Sequence, residues 1–201
     1  MMSKFKESNE ILAPEAKSIL ERDEDSLLML EVARGSDHAF RMLVEKWKNP
    51  LLNFFYRSVS NVATSEDLAQ QTFINLYKAR DYYEVKAKFS TYLFKIARNV
   101  LINDYRRSTR APALCELNDE IDSPAEPDRH LEINEIEEIF MRATEALPEN
   151  QRTAILLYKQ QQLTYEEIAE AMGSTVGAVK TWIHRARLAL REALERSGLY
   201  E

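Results

Sequence analysis

A chain of 201 residues, 45% hydrophobic and 30% charged, is long enough for one or two small domains with cores of their own. Four glycines and six prolines offer little turn chemistry, and no run of alternating β-branched residues occurs, so the expected class is all-α. The apolar runs, 27–30 and 155–158, are too short to cross a bilayer; residues 1–22 are too charged for a signal peptide, and the single Cys115 excludes an internal disulfide or cysteine zinc cluster, so the expectation is a cytoplasmic chain.

The net charge of -6 argues at first against a nucleic-acid partner, but its distribution argues for one. Between residues 78 and 110 nine Lys/Arg face three acids, a local balance of +6, whereas residues 112–139 hold ten acids and one Arg, a balance of -9. A basic segment and an acidic one are hidden inside an acidic whole.

Residues 1–22 read as a polar N-terminal extension, with Pro14 in its middle. From Asp23 the pattern tightens: Leu27, Leu28, Leu30 and Val32 precede Gly35, a helix stop, and Ser36 or Asp37 can cap the next helix. Phe40, Leu43, Val44 and Trp47 share a face and read as core, and Pro50 is expected at a break or at the first turn of a third segment. Ser65, Glu66 and Asp67 are expected to open another helix, acids in its first turn. Leu68, Phe73, Leu76 and Tyr77 are its apolar residues; Asp67, Gln70, Gln71 and Asn75 fall to the polar side. Residues 81–88 read as a loop. Phe89 then starts a helix with Leu93, Ile96, Ala97 and Val100 inward and Ser90, Tyr92, Lys95, Arg98, Asn99, Asn103, Arg106 and Arg107 outward. Cations mixed with aromatic and amide groups suit a phosphate backbone with unstacked bases, though a solvated basic face has the same composition.

Residues 111–135 hold three of the six prolines among many carboxylates and should form a linker without a core. Periodicity resumes at Ile133, Leu147-Pro148 marks a turn, and Arg152 to Gln160 supplies a helix. Thr164 with Glu167 three residues later is a capping-box pattern; Ile168, Ala169 and Met172 make one apolar face, and Gly173 ends the helix. Ser174 can cap a second helix with the stripe Val179, Ile183, Ala186 and Leu190. So short a turn between steeply crossing helices reads as a helix-turn-helix. Opposite the stripe stand Thr175, Ala178, Lys180, Thr181, His184, Arg185 and Arg187, small, hydroxylic and cationic groups that suit the major groove. No nucleophile–base pair, metal cluster or phosphate-binding glycine loop occurs, so no catalysis, cofactor or metal is expected.

Asp67-Leu68-Ala69-Gln70-Gln71-Thr72-Phe73, Thr91 to Asn99 and Arg106-Arg107 resemble conserved region 2 of bacterial sigma factors. Leu147 to Arg152, Tyr165 to Ala169 and Val179 to Arg187 resemble region 4. In this order they resemble an extracytoplasmic-function sigma factor, covering residues 24–110 and 136–197. The resemblance implies two small helical domains, 23–110 and 136–201, on either side of the linker. It implies that Asp67, Gln70, Gln71, Phe73, Leu76 and Tyr77 meet the β′ clamp helices of core RNA polymerase. It implies that Lys86, Lys88, Ser90, Tyr92, Lys95, Arg98, Asn99, Arg106 and Arg107 bind the -10 element and help hold a flipped-out base. Thr175, Ala178, Lys180, Thr181, His184, Arg185 and Arg187 would read the -35 duplex of promoter DNA. Further implied partners are the β flap and an anti-sigma factor, and the linker would run through the RNA exit channel. The loop Glu84-Val85-Lys86-Ala87-Lys88 lacks the Gly common in relatives, and Trp182 replaces a common Arg. The alternatives are a self-sufficient helix-turn-helix regulator, which would have to dimerise, and a signalling adaptor whose N-terminal bundle binds a regulator protein.

Overall fold

The computed structural model describes residues 19, 21, 23–108 and 130–197, with backbone alone at 108 and 130–137. Cys115, the acidic linker up to residue 129 and nearly all of the N-terminal extension lie outside the described residues. The described residues form eight α-helices, one 3₁₀ turn and no strand: α1 (Glu24–Ala33), α2 (Asp37–Val59), α3 (Val62–Lys78), the 3₁₀ turn (Arg80–Tyr82), α4 (Phe89–Ser108), α5 (His130–Glu145), α6 (Glu149–Gln160), α7 (Tyr165–Met172) and α8 (Val176–Arg196).

Local chemistry places most helix ends. Gly35 sits at φ 92°, and Gly35 N–H and Ser36 N–H donate to Val32 O and Glu31 O, closing α1 with paired terminal bonds. Ser36 Oγ accepts from Ala39 N at 3.2 Å and starts α2. Two expectations need correction here. Helix α2 runs unbroken through Pro50, because Leu51, Phe54 and Phe55 directly after it are all fully buried. Burying three such side chains contributes roughly 1.5–3 kcal/mol each, more than the ~3 kcal/mol that an internal proline costs. Helix α3 starts three residues before Ser65, at Val62, with Asn61 Oδ1 accepting from Thr64 N at 2.8 Å. Ser65 is instead buried, its hydroxyl donating to Asn61 O.

Helices α1 to α4 enclose an aromatic core. Phe54, Phe55, Phe89 and Phe94 are fully buried, and the Trp47 ring lies 6.0 Å from both Phe89 and Phe94. The Trp47 indole N–H donates to Asp25 at 3.1 Å, and Lys46 pairs with the same buried carboxylate at 2.7 Å. A buried anion is tolerable because it has these two donors. Asp23 accepts from Phe89 N at 2.6 Å, which ties the start of α4 to the start of α1.

Helices α5 to α8 form the second bundle, with Val179, Ile183 and Ala186 of α8 fully buried against α5, α6 and α7. The two bundles are in contact: α7 packs on α4, and α5 and α6 pack on α2. Arg152 of α6 is the main tie. Its Nη1 donates to Ser58 O at 2.6 Å and to the Tyr105 hydroxyl at 3.2 Å, while Nη2 donates to Leu147 O and Glu145 O. Ser58 O belongs to the last turn of α2, where helix carbonyls lack internal partners and a cation is favoured.

Candidate nucleic-acid interfaces

The helix-turn-helix is built by capping chemistry. Thr164 Oγ1 accepts from Glu167 N at 3.2 Å and Glu167 Oε2 accepts from Thr164 N at 2.8 Å, so the capping box is complete. Gly173, at φ 58°, turns the chain, with Gly173 N–H donating to Glu170 O and Ser174 N–H to Ala169 O. The cap of α8 is Thr175 rather than Ser174: Thr175 Oγ1 accepts from Ala178 N at 3.2 Å. Thr175, with extended backbone at φ -95° and ψ 151°, takes the cap position.

On the outer face of α8, Thr175, Lys180, Thr181, His184, Arg185 and Arg187 are exposed and Ala178 is half-buried. Thr181 Oγ1 donates to Gly177 O. The Arg187 guanidinium lies 4.9 Å from the Tyr158 ring, which stacks on Tyr165 at 5.3 Å, and Lys180 reaches 5.8 Å from the Tyr165 ring. Hydrogen bonding to Arg187 holds the Tyr158 hydroxyl below its usual range. Arg187 is thus drawn sideways, while Arg185 and His184 point outward on the same helix. Trp182 is half-buried against the core.

On α3, Asp67, Gln70 and Gln71 are exposed, and Gln71 donates to Asn75 at 2.9 Å. They line a groove of about 520 Å³ between α3 and α4. Phe73 and Tyr77 are half-buried, Tyr77 lying 4.9 Å from Phe40 and beneath the Arg80 guanidinium. Leu76 is a correction: it is fully buried, because its position on α3 faces α2 and α4, and no surface of it is free for a partner. Sequence reasoning also missed Ile74, 46% exposed in this groove, because an isolated apolar residue on a polar face carries no periodic signal. Arg107, expected beside the -10 set, lines this same groove and pairs with Asp104 at 3.2 Å.

The loop after the 3₁₀ turn alternates. Tyr83 and Val85 are buried, Glu84 and Lys86 point out and pair at 2.5 Å. Tyr83 donates to Ser26 Oγ at 3.1 Å and lies 5.1 Å from the Tyr92 ring; burial pushes its hydroxyl up to about 12. Of the remaining residues expected at this face, Lys88, Lys95, Asn99 and Arg106 are exposed and Ser90, Tyr92 and Arg98 half-buried. A cavity of about 190 Å³ is lined by Tyr82, Lys86, Thr91, Tyr92 and Lys95, and by Glu170 of α7. Thr91 Oγ1 is buried there without a hydrogen-bond partner. Tyr82, 86% exposed at its rim, escaped the sequence reading because it lies outside any helical pattern.

The second bundle stands over part of this face. Lys88 Nζ pairs with Glu167 Oε1 at 2.8 Å, so that carboxylate both caps α7 and binds a loop cation. Burial pushes the Glu167 carboxyl up, but Lys88 and the Thr164 N–H outweigh it and hold it below the usual carboxylate range. Burial likewise pulls the Arg98 guanidinium down, opposed by the nearby charge of Glu149.

Helical bundles with a helix-turn-helix and two cationic faces define a helix-turn-helix protein of the transcription class. Comparison makes this specific. Residues 43–111 match the family model "Sigma-70 region 2" and residues 137–190 match "Sigma-70, region 4". The chain is 32% identical over 187 residues to the RNA polymerase sigma-H factor of Pseudomonas aeruginosa, spanning 88% of this chain and 97% of that one. It is 31% identical over 174 residues to the ECF RNA polymerase sigma factor SigW of Bacillus subtilis, spanning 82% and 93%. Among solved structures it resembles the sigma factor RpoE in complex with the anti-sigma factor NepR from Bartonella quintana, with a TM-score of 0.62, 27% identity and coverage of 78% and 96%. CnrH in complex with the cytosolic domain of CnrY shares the fold at a TM-score of 0.66, 24% identity and coverage of 87% and 99%. The chain belongs to the sigma-70 family, as an extracytoplasmic-function RNA polymerase sigma factor of transcription initiation. Among the described residues no helix is long and apolar enough to cross a membrane, and no cluster of potential metal ligands occurs.

Proposed function

We propose that this sigma factor works without catalysis in the cytoplasm, binding core polymerase through α3, the -35 duplex through α8 and the unpaired -10 strand through α4 and its preceding loop. The observation that carries the reading is one chain of this family bearing two separate cationic helix faces, Lys95 to Arg106 on α4 and Lys180 to Arg185 on α8. Asp67, Gln70 and Gln71, exposed beside half-buried Phe73 and Tyr77, are the assigned polymerase contacts. Lys180, Thr181, His184 and Arg185 are assigned to the duplex, and Lys86, Lys88, Lys95, Arg98 and Asn99 to the single strand. Capturing an extruded base offsets the few kcal/mol of lost stacking, so melting needs no nucleotide hydrolysis. Linking both readers in one chain makes the second contact intramolecular and selects promoters of the right spacing. The sigma factor RpoE of the solved complex is held by an anti-sigma factor, and we assign a partner of that kind to this chain.

The test is transcription reconstituted from the purified chain, sigma-free core polymerase and genomic DNA of its source. Discrete starts that depend on the chain, with shared motifs at fixed upstream spacing, are expected. No starts and no co-migration with core would overturn the reading in favour of a self-sufficient regulator.

A further inference from the structure

The cations of α8 are held in two different ways. Toward the end of the helix, Arg191 and Arg196 pair with carboxylates one turn away, Glu195 and Glu192, at 2.7 and 3.1 Å. Lys180 and Arg187, about two turns apart on the outer face, lie over tyrosine rings instead. Lys180 Nζ is 5.8 Å from the centre of the Tyr165 ring, and the Arg187 guanidinium is 4.9 Å from that of Tyr158. The two rings come from the last turns of α6 and the first residue of α7, and they stack 5.3 Å apart and within 10° of parallel. Both are half-buried against the core of the second bundle, so the stack is part of its wall. The difference is electrical. A carboxylate orders a cation by neutralising it, whereas a ring orders it through its quadrupole and leaves the full positive charge at the surface. A guanidinium lying on a ring also keeps most of its five N–H donors free along its edge.

We propose that the Tyr158–Tyr165 stack is a positioning shelf for the -35 interface: it holds Arg187 and Lys180, still charged, in the poses in which they grip backbone phosphates of the duplex. This rests on the assignment of α8 to the -35 duplex. The two tyrosines are positioning residues, acting through the cations and not on the bases. Preorganising two rotamer-rich side chains lowers the ordering cost that binding would otherwise meet. Phosphate contacts fix register and orientation but carry no sequence information, so base reading falls to Thr181 and Arg185. Those two are exposed and lie about a third of a turn around the helix from the shelf. Helix α8 is thereby divided lengthwise into a fixed strip that grips phosphate and a free strip that reads bases.

The test uses holoenzyme, the full-length chain with core polymerase, binding to a mapped promoter and to the same DNA with its -35 element scrambled. Binding is counted per assembled holoenzyme over a series of salt concentrations. Tyr158→Leu keeps apolar bulk and removes the ring, and Tyr158→Phe keeps the ring and removes the hydroxyl. Tyr158→Leu is expected to bind both DNAs roughly three- to fivefold more weakly, with unchanged discrimination between them, and Tyr158→Phe to restore most of the loss. Arg187→Ala should remove about one phosphate contact, lowering the slope of log K against log salt by about 0.9, and Tyr158→Leu should move the slope in the same direction. In the Arg187→Ala background, Tyr158→Leu should lose most of its effect, whereas a merely structural tyrosine would give additive losses and an unmoved slope. Unchanged binding by Tyr158→Leu, tighter binding (as when the ring sequesters Arg187), or additive losses in the double variant would overturn the proposal. Arg185→Ala, measured in parallel, separates the outcomes. Discrimination that survives it would count against the assignment of α8 itself; discrimination lost alongside a silent Tyr158→Leu would count against the shelf alone.

Discussion

The two cationic helices of this sigma factor, α4 and α8, have similar chemistry and opposite surroundings. On α8, Lys180, His184 and Arg185 are exposed, while Lys180 and Arg187 each lie over a tyrosine ring, at 5.8 Å and 4.9 Å. On α4 and its loop, Lys88 pairs with Glu167 of the other bundle, and Glu170 closes the neighbouring cavity. Composition therefore says which faces suit nucleic acid; it does not say which of them is available. Availability is a property of packing between bundles, and it can be perturbed separately from the folding of either one.

The largest expected effect lies inside the first bundle and leaves the comparison intact. Leu76→Ala should cost roughly 2–5 kcal/mol of stability by opening a cavity in a fully buried site. Gln71→Ala, on the exposed side of the same helix, should be near neutral in denaturant unfolding, and equal losses would contradict the separation of core from contact residues. Next, Arg152→Ala should break the tie between the bundles, at a cost of about 2–4 kcal/mol for hydrogen bonds to a charged group. A larger radius of gyration, with helical circular dichroism retained, is the expected readout.

A sharper probe of α8 is the pair Arg185→Ala and Arg187→Ala. The first should weaken binding to a mapped promoter duplex by about 1–3 kcal/mol. The second should weaken it less, because Arg187 is already engaged by Tyr158. Thr164→Ala should then cost about 1 kcal/mol through loss of the cap, seen as a lower unfolding midpoint. Glu167→Gln should retain that cap and lose only the exposed-rim ion pair, worth about 0.2–1 kcal/mol. The smallest effect is that of pH. Lys88 and the Thr164 N–H hold the Glu167 carboxyl below the usual carboxylate range, so its contribution is complete at neutral pH and is lost only as pH falls through that depressed range in acid. Scattering should accordingly show a closed chain at neutral pH and loosening only in acid, and loosening between pH 6 and 8 would contradict it.

Sequence pattern made the helix-turn-helix legible almost residue by residue. Thr164, Glu167, Gly173 and the stripe on α8 act through hydrogen bonds and burial within a few residues of one another. Gly35 was legible for the same reason. Where a distant contact competes with a local signal, pattern reading failed. Pro50 suggests a break, but the aromatic core holds α2 together across it. Ser65 resembles a cap, but Asn61 takes that place and Ser65 is buried. Leu76 shares a helix with the exposed Asp67, Gln70 and Gln71, yet lies on its other side, in the core. Arg107 belongs to the basic run, yet its position near the end of α4 turns it toward α3.

The sequence by itself determined the all-α class, the helix-turn-helix and the identity of both cationic faces, because each depends on periodicity and capping within a single segment. Tertiary structure decided that Glu167, read only as a cap, also binds Lys88, and that Glu170 and Arg152 reach across to the other bundle. Those partners are 79 residues apart in the Lys88–Glu167 pair and 94 apart in the Arg152–Ser58 bond, so no local pattern encodes them. They exist only once two independently patterned bundles have found each other's surfaces.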